Sequence, residues 1–345
     1  MKRKSGLIAL LLVLAMLVVA GCGSAQSTGD TQTETPAAEE KEQEQAKEPL
    51  KVALLLSGPI SDMGWNASAY EGLQKVAKDY GVETSYTESI PQSDIEEVFR
   101  GYAQQGFDVI IGHGYQFGDA ALKVAPEFPD VKFVVTSSNI TQEPNLASVN
   151  LDNVQQGFLM GAAAAYLSES GIVGAIGGQD MPPIKGSVDG FVQGAKHVKP
   201  DIEVLTAMTG SNDDVTKAKE TAMAMIDKGA DVVMANANQA GLGSIEACQE
   251  KGVYAIGSNQ DQNEIAPDTV VVSGIKSNPV LITFVVEKVL DGEFEPTFYP
   301  LGVKEKAVYL SPFHGFEEKI PQEIRDKIMA IQEDMISGKI EVSQY

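Results

Sequence analysis

From Leu50 onward, the chain alternates short apolar runs with amphipathic stretches, and this alternation constrains the fold more than any other feature. The first apolar run covers residues 52–56, and a helical period follows from about residue 67 to residue 80. Glycines such as Gly81 and Gly106 stand where a helix would end before the next strand. Because strands and helices alternate, the sequence predicts an α/β fold in which parallel strands are joined by right-handed crossovers.

The number of apolar runs indicates two lobes. About nine strands are too many for one comfortable sheet, and the pattern breaks near residues 148–150. We therefore predict two similar lobes, each with its own doubly wound sheet. The predicted strands are residues 52–56, 82–86, 109–111, 131–135, 172–176, 202–205, 232–234, 253–256 and 270–272.

The N-terminus has the order of an export signal. Three cations at residues 2–4 precede an apolar run at residues 7–20, which is shorter than the ~18–20 residues that span a membrane. Residues 19–22, Val-Ala-Gly-Cys, resemble a lipobox. The sequence thus predicts a signal peptide over residues 1–21 and acylation of Cys22, for example with palmitate. The alternative is a stray cysteine behind an ordinary signal. Lipidation would place the protein on the extracytoplasmic face of a bacterial cell membrane, held there by the lipid anchor only.

Composition narrows the possible partners. Residues 22–49 are poor in apolar side chains and carry no hydrophobic period, so after the lipidated cysteine they read as a disordered tether. The chain has 26 Lys and Arg against 48 Asp and Glu, a formal net charge of −22. This field repels a phosphate backbone, so nucleic acid is excluded as a general partner and neutral solutes are favoured over phosphorylated ones.

Trp65, the only tryptophan, follows the first predicted strand in a turn-rich loop. In open parallel sheets, ligands bind beyond the carboxyl ends of the strands, so such loops are the first candidates for a site. An indole face at a cleft suits stacking on an aromatic heterocycle, and Asp62 and Asn66 would meet the polar edge of that ring. The alternative is that Trp65 belongs to the core and that Asp62 or Asn66 caps a helix.

Other strand ends carry glycines, amides and one more aromatic side chain. Tyr115 is a candidate second aromatic wall, and the loops rich in amides and small residues suit a neutral polar ligand. The glycines around His113 are spaced one residue too widely for a dinucleotide fingerprint, which disfavours a nicotinamide cofactor. The remaining candidate binding residues are Gly114, Gly178, Met181, Asn236, Asn238, Gly241 and Asn259.

Asp261 and Lys276 follow the last two predicted strands. A carboxylate accepts hydroxyl protons and an ammonium donates to hydroxyl lone pairs, so the two residues are candidates to clamp a vicinal diol. The alternative is a plain surface charge pair across two loops.

The sequence offers little evidence of a catalytic site. The three histidines, His113, His197 and His314, fall in unrelated places, and no nucleophile, phosphate-loop or metal-ligand spacing appears in the sequence. We read these histidines as structural or, for His113, as lining a site. The sequence therefore predicts no enzyme, no cofactor and no metal. The rival is a hydrolase or phosphorylase, which would need an acidic metal cluster or a phosphate nest.

Several linked motifs together resemble the basic membrane protein family, the substrate-binding lipoproteins of ABC importers typified by purine nucleoside receptors. The motifs are residues 57–66 with Glu71-Gly72, residues 126–133, Gly177-Gly178 with Pro183, and Ile256-Gly257 with Asp261-Gln262. The resemblance implies a type I periplasmic-binding fold that closes on a ligand between its lobes, with an ABC permease and ATPase as partners. In this arrangement we expect lobe 1 to contain residues 50–150 and about 262–285, and lobe 2 to contain residues 151–261 and about 286–345.

The resemblance also implies residue roles. Trp65 would stack on a purine, and Asp261 and Lys276 would hold ribose hydroxyls. The chain departs from the nucleoside-binding pattern at Asn259, where an acid is common, and at residues 236–238, where an aromatic is common. A second branch of the family is similar in its Gly-Trp motif and takes free purine bases. A purine nucleoside is thus the expected ligand, with a free base or another small neutral solute as the alternative.

Overall fold

A computed structural model describes residues 48–62 and 64–342 of the chain. The predicted signal peptide, the acylated Cys22 and nearly all of the tether lie outside the described residues. Within the described part, no helix is long and apolar enough to cross a membrane.

Two six-stranded sheets organise the described residues, which confirms the α/β prediction. Every strand pair is parallel except β10 with β12. The first sheet has the order β11 (Phe298–Leu301), β5 (Leu146–Leu151), β4 (Lys132–Thr136), β3 (Val109–His113), β1 (Lys51–Leu56) and β2 (Glu83–Thr87). The second sheet has the order β12 (Val308–Leu310), β10 (Val270–Lys276), β9 (Tyr254–Asn259), β8 (Val232–Asn236), β6 (Ile172–Gly177) and β7 (Glu203–Met208).

Helices fill the crossovers and cover both sheets. Gly81 and Gly252 end their helices with left-handed φ angles of 66° and 68°, as predicted for glycines at helix ends. Asp152, Asp214 and Ser277 accept backbone N–H groups at the start of three others. The helices are α1 (Trp65–Tyr80), α2 (Ile95–Gln104), α3 (Gly118–Val124), α4 (Asn153–Leu167), α5 (Pro182–Val198), α6 (Val215–Ile226), α7 (Gly241–Lys251), α8 (Asn278–Leu290) and α9 (Gln322–Ile336).

The central strands of each sheet are buried on both faces, which explains their near-continuous apolar runs in the sequence. In β1, Val52, Leu54 and Leu56 pack on the side of α1 and α8, whereas Ala53 and Leu55 pack on the side of α2 and α3. Alternate side chains of a strand point to opposite faces, so a strand covered on both sides must be apolar throughout.

The structure corrects the predicted lobe boundaries. The break expected at residues 148–150 lies inside β5, and the chain first leaves lobe 1 after Leu151. Strand β10, assigned to lobe 1 by the predicted segment 262–285, pairs with β9 in lobe 2. Helix α8 and strand β11 then return to lobe 1, where α8 covers α1 and β11 pairs with β5. Lobe 1 is therefore residues 48–151 and 278–301, and lobe 2 is residues 152–276 and 303–342.

Helices α4 and α5 of lobe 2 touch through their backbones. A methyl group on Gly157 or Gly161 would lie 2.0 Å from the carbonyl oxygen of Ser187 or Phe191. Residue numbers at these contacts increase in the same direction along both helices, so the two helices run parallel. Pro182 and Pro183 open α5, where their missing N–H groups have no helical partner to lose.

Candidate ligand-binding site

A cavity of about 500 Å³ lies between the two lobes, at the carboxyl ends of the strands of both sheets. This is the position that the strand pattern predicted. The predicted residues that line it are Asp62, Trp65, Asn66, Gly114, Tyr115, Met181, Asn236, Asn238, Asn259 and Lys276. Gly178, Gly241 and Asp261 are not among the lining residues.

Trp65 begins α1 and has one face covered by His113 from β3. The two rings stack with centroids 4.2 Å apart and planes 19° apart. His113 Nε2 lies 3.2 Å from the Trp65 carbonyl oxygen, and its Nδ1 lies 3.0 Å from the Thr136 hydroxyl. A carbonyl only accepts, so Nε2 carries the proton and Nδ1 accepts from Thr136. Burial lowers the pKa of His113 to about 3, so the ring stays neutral behind the indole. At most one indole face is left for a ligand.

Asp62 organises the loop that carries Trp65. Its carboxylate accepts the backbone N–H groups of Gly64, Asn66 and Ala67 at 2.9, 3.0 and 2.9 Å, and also the Asn66 side-chain amide at 2.8 Å. These bonds satisfy the first N–H groups of α1, which is the capping role considered as the alternative in the sequence. The Asp62 carboxylate is thus committed to the loop, and Asn66 Oδ1 is buried without a hydrogen-bond partner among the described residues.

Lys276 ends β10 and places a buried ammonium beside the tryptophan. Its Nζ donates to Asn153 Oδ1 at 2.8 Å and lies 5.1 Å from the centroid of the Trp65 ring. Within residues 48–62 and 64–342, no carboxylate lies within ion-pair distance of it. Burial lowers the pKa of Lys276 to about 7, because the charged form loses its hydration. Because Nζ makes one described hydrogen bond, to Asn153, it retains at least one N–H donor for a ligand whether or not it is protonated.

Asp261 and Lys276, predicted to clamp a diol together, form no ion pair with each other in this structure. The Asp261 carboxylate lies 2.6 Å from His314 Nε2 and lines a second cavity of about 390 Å³. Asn259 and Lys276 line both this second cavity and the cleft, whereas Asp261 does not line the cleft. Strand β9 extends to Asn259, so the residue that meets the cleft comes two positions before Asp261. Asn259 Nδ2 donates to Asn236 Oδ1 at 3.2 Å. His314, read from the sequence as structural, is the partner of Asp261.

The sequence analysis missed residues that follow strands β2, β4 and β7. These ends supply Gln92 and Ser137 from lobe 1 and Asn212 and Asp213 from lobe 2. The strand-end rule would have found them if it had been applied to every predicted strand. Further lining residues that were missed are Ser57, Gly58, Pro59, Ile90, Gln116, Gln179, Pro183, Ile184 and Gln239.

Comparison with known proteins identifies the family. A protein-family model described as "ABC transporter substrate-binding protein PnrA-like" matches residues 50–344. The chain belongs to this family. Among curated relatives, the ABC transporter nucleoside-binding protein BmpA of Lactococcus lactis is 29% identical over 99% of this chain and 99% of its own length. A purine-binding protein of Brucella abortus is 28% identical over 86% of this chain and 85% of its own length.

Solved structures confirm the fold of this family member. A solute-binding protein of an ABC transporter system from Aeropyrum pernix superposes with a TM-score of 0.75 at 23% identity, covering 86% of this chain and 94% of its own. A solute-binding protein from Conexibacter woesei superposes with a TM-score of 0.69 at 26% identity, covering 85% and 98%. The predicted type I periplasmic-binding fold and the resemblance to the basic membrane protein family are both confirmed. The family is one of binding proteins of ABC transporters, which are not enzymes.

Proposed function

We propose that this protein captures a purine nucleoside in the cleft between its lobes and delivers it to an ABC permease and its ATPase. The observation that carries the proposal is that the Trp65 indole, with one face covered by His113, and the buried Lys276 Nζ, with no carboxylate partner among the described residues, line the same cavity. Trp65 offers an aromatic platform, and Lys276 offers N–H donors within reach of whatever stacks there. An aromatic base carrying ring nitrogens and a hydroxylated sugar matches both features.

Orphaned amide atoms support a ligand that both donates and accepts hydrogen bonds. Asn236 Nδ2 and Asn259 Oδ1 are buried and have no hydrogen-bond partner among the described residues. Buried polar atoms are rarely left unpaired in folded proteins, so a ligand is the natural partner for one donor and one acceptor at this edge of the cleft. The strongly acidic composition of the chain disfavours a phosphorylated form of the same ligand.

The relatives and the N-terminal sequence support the rest of the proposal. Two relatives are named as a nucleoside-binding protein and a purine-binding protein. The lipobox-like residues 19–22 support acylation of Cys22 and anchoring on the extracytoplasmic face of a bacterial membrane. Incorporation of an alkyne-tagged palmitate analogue, lost in Cys22→Ala, tests the anchor.

A free purine base is the second candidate ligand. The observation that favours it is the outward position of Asp261, which leaves the cleft without the carboxylate expected to hold a ribose diol. Asn259 stands in the cleft instead, and an amide holds hydroxyl groups less strongly than a carboxylate does.

Calorimetric titration of the refolded, ligand-free protein distinguishes these ligands. Guanosine, adenosine, adenine and ribose are titrated separately, with guanosine monophosphate as the charged control. The proposal predicts tight binding of a nucleoside, weaker binding of adenine and no binding of the monophosphate. If adenine binds as tightly as adenosine, the free base replaces the nucleoside as the proposed ligand. If no purine binds, the proposed ligand class is refuted.

A further inference from the structure

The peptide group between Gly64 and Trp65 belongs to lobe 1 but is held by two side chains of lobe 2. Gln260 Nε2 donates to the Gly64 carbonyl oxygen at 3.0 Å. On the same peptide group, the Trp65 N–H donates to Asn238 Oδ1 at 3.4 Å. Asn238 Nδ2 also lies 3.5 Å from Asp62 Oδ2. The two amides, which we call the amide clasp, therefore grip both sides of the peptide that carries the tryptophan.

The local backbone is built around this contact. A methyl group on Gly64 would lie 2.3 Å from Asn238 Oδ1, so glycine is what allows the amide to approach the loop. Asn238 itself has a φ of 45°, in the left-handed region that asparagine tolerates better than most residues. Both positions thus suit the contact between lobes rather than the packing of either lobe alone.

Each clasp bond joins a side chain of lobe 2 to the loop of lobe 1 that carries Trp65. We infer that the amide clasp stabilises the closed arrangement of the two lobes and fixes Trp65 in place, which makes Asn238 and Gln260 positioning residues for ligand binding. The inference rests on the proposed function only in treating Trp65 as the platform for the ligand. Closure before binding would raise the apparent affinity in proportion to the fraction of molecules already closed.

The sole tryptophan of the chain gives a direct readout of the clasp, because Trp65 is also the residue that it holds. The test compares full-length, refolded, ligand-free proteins by acrylamide quenching of Trp65 fluorescence and by small-angle X-ray scattering. The variants are Gln260→Ala, which removes one donor, and Asn238→Gly, which removes the amide while keeping the left-handed backbone accessible. The matched control is Gln249→Ala, an exposed amide on α7 of the same lobe.

We expect each clasp variant to lower the closed-to-open ratio by about fivefold, the effect of one ordinary hydrogen bond. Quenching by acrylamide and the radius of gyration should both rise in Gln260→Ala and Asn238→Gly, and both should stay at wild-type values in Gln249→Ala. Unchanged quenching in both clasp variants would overturn the inference. Increased quenching with an unchanged radius of gyration would also overturn it, because only the loop would then have loosened.

Adding guanosine separates this inference from the proposed function. If guanosine fails to compact any protein while the ligand-free variants are more open than wild type, the amide clasp stands and the proposed ligand fails. The opposite outcome is that guanosine compacts the wild type while ligand-free Gln260→Ala and Asn238→Gly show the same quenching and radius of gyration as the ligand-free wild type. In that case the proposed ligand stands and the amide clasp fails.

Discussion

Replacing Lys276 with methionine should stabilise the ligand-free protein at acidic and neutral pH and lose this effect at alkaline pH. Lys276 is 6% exposed, and its described hydrogen-bond partner is the neutral amide of Asn153. Burial without a carboxylate penalises the ammonium, whereas methionine fills a similar volume without a charge.

The magnitude follows from the Lys276 pKa, which burial lowers from 10.5 to about 7. At about 1.4 kcal/mol for each pH unit, this corresponds to about 5 kcal/mol, and the contact with the Trp65 ring reduces it to about 3–5 kcal/mol. The unfolded chain binds more protons than the folded chain between pH 7 and pH 10.5, so stability of the wild type rises with pH across that window. The full penalty is present below pH 7 and disappears above 10.5.

Thermal unfolding at pH 6, 8 and 10 measures this effect. We expect Lys276→Met to melt about 10 °C above the wild type at pH 6, with the difference shrinking steadily towards pH 10. The loss of the Asn153 hydrogen bond lowers the stability of Lys276→Met by the same amount at every pH. The change of the melting-temperature difference with pH therefore decides the outcome. Lys228→Met, at an exposed lysine on the surface of lobe 2, controls for general charge effects. A difference that does not vary with pH would refute the reasoning.

Three further predictions concern the ligand and the core. Trp65→Ala should weaken purine binding by about 1–2 kcal/mol, because one stacking face is lost, as measured by calorimetry. Asp261→Ala should change nucleoside affinity by no more than about threefold, because Asp261 pairs with His314 away from the cleft. Gly161→Ala should lower the unfolding free energy by about 3 kcal/mol, because its methyl group would meet the Phe191 carbonyl oxygen; urea denaturation measures this loss.

Each of these predictions has its own contradiction. Equal purine affinity in Trp65→Ala would remove the platform from the proposal. A large loss in Asp261→Ala would mean that the carboxylate turns into the cleft when ligand binds. For the core, Gly101→Ala is the matched control, since a methyl group there meets only the end of a glutamine side chain and should stabilise α2 by about 0.5–1 kcal/mol. Equal stability changes in the two glycine variants would contradict the backbone contact.

The sequence predicted the strands well where they are apolar throughout, but it missed β5, β11 and β12. Strand β5 contains Ser148 and Asn150, and its partner β11 lies far along the chain, so no local pattern marks the pair. Pro300 argues against a strand in the sequence, yet β11 is an edge strand, where a missing N–H is tolerated.

The candidate site was predicted best for residues that lie close to the carboxyl end of a predicted strand. Trp65, Tyr115 and Lys276 line the cleft as expected. Asp261 does not line the cleft, because the apolar run ends at residue 256 while the hydrogen-bonded strand continues to Asn259. The stacking of His113 on Trp65 joins the end of β3 to the start of α1, 48 residues apart, and sequence alone gives no signal for such a contact.

The three passages of the chain between the lobes mean that neither lobe is a contiguous piece of polypeptide. A chain ending at residue 151 would leave Val52 and Leu54 without the cover of α8, which is made more than a hundred residues later. During synthesis, five strands of the second sheet precede β11, the last strand of the first sheet. The chain is therefore not synthesised one lobe at a time, and both lobes are complete only when the C-terminal segment has been made.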